Sequence, residues 1–232
     1  FAVEGAPRRF AEWELAGSDR ERRLFTVRLP LRDLDFRMAA VITAPEEYNA
    51  RAYMDVLREH GLDMIVAPCS EAAMVHAAAA GLRFIPEIAD FALPSPPTGN
   101  TRQPCFNDPA YRAASMSLIK EEALTYWAGA SGIYSLGRGN SLGLGAANVC
   151  QCDRCLADFH SALRKIYKQP AALGAAWGTT MLSWEDARPL DPAAARTAGR
   201  FAPYLDFRAY MDGLFTRFHA AAREQVRAVD QQ

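Results

Sequence analysis

From residue 36 onward, apolar positions switch repeatedly between an extended period of two and a helical period of three to four, and each switch falls on a turn or cap residue. The run 36–43 reads as a strand. After Pro45 a helix carries Tyr53, Val56 and Leu57 and stops at Gly61, a residue suited to the left-handed position after a helix. Residues 63–67 form the next strand, and Ser70 can cap a helix that runs through Met74 and Val75 to Gly81. A third strand spans 83–88, followed by a loop at 93–104 rich in proline, glycine and serine. Asp108 followed by Pro109 marks a helix start, because the aspartate accepts the free N–H groups and proline lacks one. That helix should reach about Trp127.

A fourth strand is expected at 132–136, ending in the glycine-laced segment 137–145. Beyond residue 150 the pattern predicts a helix with Leu156, Phe159, Leu163 and Ile166 on one face, a loop around Trp177 and Trp184, and a long helix over 206–229. Strands alternating with helices in this way point to a parallel α/β sheet. Four βα units make about half of a (β/α)₈ barrel, and a chain expected to be a piece of a longer product fits that count. Residues 1–34 differ: a turn at Gly17, Ser18 and Asp19 precedes the alternating run 24–29, as in the last hairpin of an upstream β-domain. The expected domains are therefore 1–34, the tail of a β-domain, and 35–232, the N-terminal half of a barrel.

Half of the 232 residues are hydrophobic and 23% are charged, as in ordinary globular proteins. A net charge of -1 offers no basic surplus for a phosphate backbone, and no apolar run reaches the roughly 18 residues of a membrane helix, so neither nucleic acid nor bilayer is an expected partner. Cysteine usage changes the picture. Cys150, Cys152 and Cys155 form a C-x-C-x-x-C cluster, and with Cys105 they supply the four thiolates of a tetrahedral zinc site. Four thiolates leave no open position for water, so the zinc is expected to be structural. Cys69 reads as a small buried hydrophobe. His60, His76, His160 and His219 fall on expected helices without a ligand-spaced partner.

The cluster and the stretch after it, with Phe159, Tyr167, the run Ala175, Ala176, Trp177, Gly178 and Thr179, then Ser183, Trp184, Leu205, Asp206 and Phe207, resemble family 42 of the glycoside hydrolases, the β-galactosidases and their relatives. The resemblance implies a partial (β/α)₈ barrel with a zinc-binding insertion after the fourth strand, and Cys105 stands where the family's distant zinc ligand belongs. It implies hydrolysis of β-galactoside-like carbohydrate by a retaining mechanism, with one carboxylic acid at the end of the fourth strand and a second carboxylate much later in the chain. The acid's place falls on Gly139, or, with a two-residue shift that keeps Asn140 as the family's Asn, on Ser141. No carboxylate lies between Glu122 and Asp153. The segment of the nucleophile is not in these residues, so the chain as given is expected to be inactive.

Arg102 approximately matches an arginine that contacts sugar hydroxyls in the family, with a solvated loop arginine as the alternative. Glu46, Glu47, Glu87 and Asp90 lie at strand ends, where barrel enzymes place site residues; Glu87 and Asp90 could line a sugar pocket, with ordinary capping or barrel-mouth hydrogen bonding as the favoured role. Trp177 and Trp184 could stack on a sugar but read better as packing residues. A non-catalytic carbohydrate-binding or assembly protein on the same scaffold is the rival reading. The open edge of a half-barrel would be met by self-association as a homo-oligomer or by the missing half-barrel.

Overall fold

The structure is a computed structural model that describes residues 10–15, 22–27, 38–45, 49–89, 99–137, 140, 142 and 150–231. At the N-terminal end β1 (Phe10–Leu15) pairs antiparallel with β2 (Arg22–Val27). The expected hairpin is therefore present in its strands, while its turn at Gly17, Ser18 and Asp19 lies outside the described residues.

The order then becomes β3 (Ala39–Val41), α1 (Ala50–Glu59), β4 (Met64–Pro68), α2 (Glu71–Ala79) and β5 (Arg83–Glu87). The three strands pair in parallel in the order β3-β4-β5. Sequential parallel strands with a helix in each crossover are the arrangement of a partial (β/α)₈ barrel. The punctuation residues act as their chemistry requires. Ser70 Oγ accepts the Ala73 N–H at 3.0 Å, and Gly61 and Gly81 take φ of 86° and 72° just after α1 and α2, a conformation that a Cβ penalises. Met54, Ile65, Ala67, Met74, Ala77, Leu82 and Phe84 pack as the core between these helices and the sheet.

The expected fourth strand at 132–136 is not formed. Only Ala130 and Ser135 bridge to Phe84 and Glu87 of β5, in parallel register. Gly132 lies between them with φ of 79°, which interrupts the extended backbone that a continuous ladder needs. The direction and neighbour of the strand are kept, its length is not.

The chain divides into two compact units, residues 1–90, 117–138 and 223–232 in the first and 91–116 and 139–222 in the second. Helix α3 (Pro109–Tyr126) starts in the second unit. There Asp108 Oδ1 accepts the Ala110 N–H at 2.9 Å, as the Asp-Pro start requires. The second unit also holds α4 (Asp153–Tyr167), α5 (Pro170–Trp177), a 3₁₀ turn (Trp184–Asp186), α6 (Pro192–Ala198) and most of α7 (Ala202–Arg227).

Two expectations are corrected in this unit. The face of α4 that is buried carries Cys155, Phe159, His160 and Leu163, whereas Ile166 is 64% exposed. The stretch around Trp177 is not a loop: it holds two short helices, each started by a proline and ended by a glycine, Gly178 and Gly199, in the left-handed conformation. Phe159 packs edge-on to Phe207 and lies against Trp177 and Tyr210, which makes an aromatic core joining α4, α5 and α7. Among the described residues no helix is long and apolar enough to cross a membrane.

Candidate metal centre

Cys105, Cys150, Cys152 and Cys155 come together in the second unit with all four sulfurs within 4.8 Å of one another. The chain brings them there by two local devices. Cys105 sits in the turn that leads into α3, and its carbonyl accepts the Asp108 N–H at 3.0 Å. Cys152 occupies the cap position before α4, which places Cys155 in the helix's first turn. The first-turn N–H groups of a helix favour negative charge, so this is a good location for a thiolate. The two segments are stitched by the Gln151 N–H to the Asn100 carbonyl at 2.7 Å and by the Arg154–Asp108 ion pair at 3.1 Å.

Cys105 Sγ lies 3.6 Å from Cys152 Sγ and 3.4 Å from Cys155 Sγ. Three of the thiols are buried and Cys152 is half-buried. Their proton affinities diverge accordingly. Hydrogen bonds from Cys105 and Cys155 pull Cys150 far below the ordinary thiol range, the bond to Cys150 holds Cys105 up, and the bonds to Cys105 and then Cys150 hold Cys155 up. Neighbouring thiols oppose one another's ionisation, and a bound cation makes it favourable. The group could hold a metal ion. Cys69 does not join it: its Sγ donates to the Glu87 carbonyl at 3.4 Å in the first unit. Burial, then the carboxylates of Glu122 and Glu87, push that thiol up, which leaves it an unreactive packing group.

The sulfurs are also held from outside. The Arg102 N–H donates to Cys150 Sγ and the Asn107 N–H to Cys105 Sγ, each at 3.3 Å, and Asn107 Nδ2 reaches Cys155 Sγ at 3.6 Å. Asn107 Nδ2 also donates to the Tyr210 hydroxyl at 2.8 Å, and that hydroxyl donates to Asp158 at 3.0 Å. Burial, then the charges of Cys155 and Asp158, raise the pKa of Tyr210, so it stays a neutral donor. Sequence reasoning misses both Asn107 and Tyr210. Asn107 carries a signal, as a donor two residues past Cys105; nothing local marks Tyr210, which arrives from 103 positions beyond Asn107. A groove of about 670 Å³ opens beside this chain of bonds, flanked by Arg112, Arg154, Lys165 and Arg217 with Asp158 among them.

The remaining expected site residues are dispersed. Arg102 is 1% exposed, so the solvated-loop alternative is excluded. Asn140 is half-buried, with Nδ2 3.2 Å from His219 Nε2. Glu87 closes β5 in the first unit and its backbone pairs with Ser135. Trp177 is buried and Trp184 half-buried, Arg164 lying over the latter's ring, so both pack within the protein. His160 Nε2 contacts the Ala187 carbonyl at 2.9 Å, a structural bond. Gly139, Ser141, Glu46, Glu47 and Asp90 lie outside the described residues.

The fold is similar to that of solved glycosidases. A β-galactosidase from Bacillus circulans sp. alkalophilus superposes with a TM-score of 0.62 at 13% identity, over 84% of this chain and 35% of the other. One from Halorubrum lacusprofundi gives 0.64 at 15% identity over the same shares, and the catalytic domain of a Paenibacillus polymyxa β-amylase gives 0.57 at 16% over 85% and 65%. The chain thus spans about a third of the length of the β-galactosidases it matches. A search of the curated proteins gave no match. The family model of the glycoside hydrolase 42 β-galactosidases matches residues 52–232. With more than half of its length matched, the chain belongs to glycoside hydrolase family 42.

Proposed function

We propose that residues 35–232 are the N-terminal half of a β-galactosidase-type barrel, that residues 1–34 are the tail of a β-domain ahead of it, and that the four cysteines are a structural zinc centre. The convergence of four sulfurs from two segments carries the metal reading. A tetrahedron with zinc–sulfur bonds of about 2.3 Å has sulfur–sulfur edges of about 3.8 Å. Two edges, at 3.4 and 3.6 Å, are slightly shorter than that and all four sulfurs lie within 4.8 Å of one another, so the cluster already has about the size that an ion requires. An all-sulfur, four-membered donor set selects zinc over magnesium or calcium, which prefer oxygen. Bound there, zinc supplies a cross-link between the segments, and its closed sphere leaves the chemistry of hydrolysis to other residues.

Retaining hydrolysis needs two carboxylates about 5 Å apart across the scissile bond. The place of the acid, carried over from the family, holds Gly139 or Ser141, and neither has a titrating acid. Loss of a positioned general acid costs about 10²–10⁴ in rate. These 232 residues by themselves are therefore a carbohydrate-hydrolase scaffold without turnover of its β-galactoside-like ligand. Glu87 and, separately, Asn140 keep the proposed role of sugar-hydroxyl partners. Intact zinc ligands beside a missing acid also favour the second reading, a carbohydrate-binding or assembly role.

Metal analysis of protein purified without chelator should give about one zinc per chain. No zinc and five freely titratable thiols would remove that reading. Nitrophenyl β-galactoside should not be cleaved above background by the unmodified chain or by Gly139→Glu, since an acid alone leaves the anomeric carbon without its nucleophile. Hydrolysis of an unactivated galactoside by the unmodified chain would overturn the inactive reading, and saturable sugar binding without turnover, with light scattering for assembly, would favour the second.

A further inference from the structure

Arg102 is one of the largest fully buried side chains in the protein, at 1% exposure. A guanidinium keeps its charge at any ordinary pH, and removing it from water is far more costly than burying a neutral chain of equal size. Something must offset that cost. Its backbone and its side chain both bear on the cysteine centre. The Arg102 N–H donates to Cys150 Sγ at 3.3 Å. Its Nη1 donates to the carbonyl of Pro104, the residue just before Cys105, and its guanidinium carbon lies 3.9 Å from the centroid of the Phe106 ring, the residue just after. Arg102 thus folds over the turn that presents Cys105.

Charge completes the picture. Four thiolates around a divalent ion leave a net charge of about -2 on a centre buried in protein, and a buried dianion requires a nearby cation as much as a buried cation requires an anion.

We propose that Arg102 is a positioning residue and counter-ion of the four-cysteine centre, holding the Cys105 turn in place and offsetting the charge of the loaded metal site. This rests on the metal-centre reading above and reassigns Arg102 from the sugar contact expected from the sequence. The chemistry has two consequences. Removing the charge should weaken metal binding even though no ligand is lost, and a lysine, which keeps the charge but not the planar fork, should restore much of it.

The experiment measures zinc affinity by competition with a chromophoric chelator for the unmodified chain, Arg102→Met and Arg102→Lys. Outer-shell changes of this kind cost roughly 10–100-fold in metal affinity. Arg102→Met should fall in that range and Arg102→Lys should stay within several-fold of the unmodified chain. Equal affinity in all three would overturn the proposal while leaving the zinc reading intact. Loss in both variants to the same degree would also overturn it, since charge would then not be the cause. Absence of zinc from the unmodified chain would instead refute the metal reading on which the proposal stands. If Arg102→Met is recovered only as aggregate, Arg102→Lys decides alone: retained affinity supports the proposal and a tenfold or greater loss sinks it.

Discussion

Trp177 and Asp206 are joined by a 2.7 Å bond from the buried indole N–H to the carboxylate Oδ2, and the Tyr167 hydroxyl donates to the same oxygen at 2.7 Å. One carboxylate thereby ties the ends of α4 and α5 to the start of α7. Asp206→Ala leaves the indole donor of a residue that is 3% exposed without its acceptor. An orphaned buried donor costs about 1–3 kcal/mol. Thermal denaturation followed by tryptophan fluorescence should show a drop of that size, and Asp206→Asn, which keeps an acceptor oxygen, should lose less.

The same cluster sets a pH dependence. Burial, then the hydrogen bond to and charge of Asp206, push the Tyr167 hydroxyl up to about 12. A tyrosine whose folded pKa exceeds its unfolded value near 10 contributes stability that is full below pH 10 and is lost as pH rises toward 12, because the unfolded chain ionises first. The stability difference between the unmodified chain and Tyr167→Phe should therefore be constant through neutral pH and shrink across pH 10–12 in melting experiments. A difference that grows over that window would contradict the sign.

Gly174 lies inside α5, where alanine would ordinarily be favoured by about 1 kcal/mol. Here a Cβ would stand 2.6 Å from the Thr179 carbonyl oxygen and 3.0 Å from the Met181 nitrogen, both backbone atoms. Backbone cannot swing aside as a flexible side chain can, so the clash outweighs the propensity gain. Gly174→Ala should destabilise by about 1–3 kcal/mol, as overpacking does. Chemical denaturation would read it as a lower midpoint at unchanged slope.

Metal removal should act on stability in the same direction. A ligand that binds only the folded chain adds about 4 kcal/mol when its free concentration is 1,000 times its Kd. Chelation is thus expected to lower the melting temperature, and Cys152→Ser should lower both zinc content and melting temperature. Cys69→Ser should leave the zinc content unchanged, because that thiol bonds to the Glu87 carbonyl instead. Equal zinc loss in both variants would contradict the assignment of ligands.

Local chemistry is what the sequence makes legible. Ser70, Gly61, Asp108 and the cysteine spacing act through bonds to residues a few positions away, and each behaves as its residue type requires. The helices at 170–177 and 192–198 carry the same proline-and-glycine punctuation, so they are legible in principle, but tryptophans at a pattern break read more readily as a loop. The buried face of α4 and the interior position of Arg102 are not legible, because each depends on what distant segments bring. Phe159 and Cys155 face inward since α5, α7 and the Cys105 turn meet them there, and no periodicity within α4 contains that information. The fourth strand fails for a local reason, the left-handed Gly132, whose effect on pairing depends on where β5 ends.

The two halves of the cysteine centre are far apart in sequence, with Cys105 on one side and Cys150 on the other of a long excursion of the chain. Joining them in the unfolded polypeptide would close a loop of about 45 residues, which for a covalent tie of that length corresponds to about 4 kcal/mol of chain entropy. A bound ion makes the same closure reversible. Filling all four positions of the proposed centre would therefore require the return of the intervening residues, and the rate at which the fourth thiol joins would time that return.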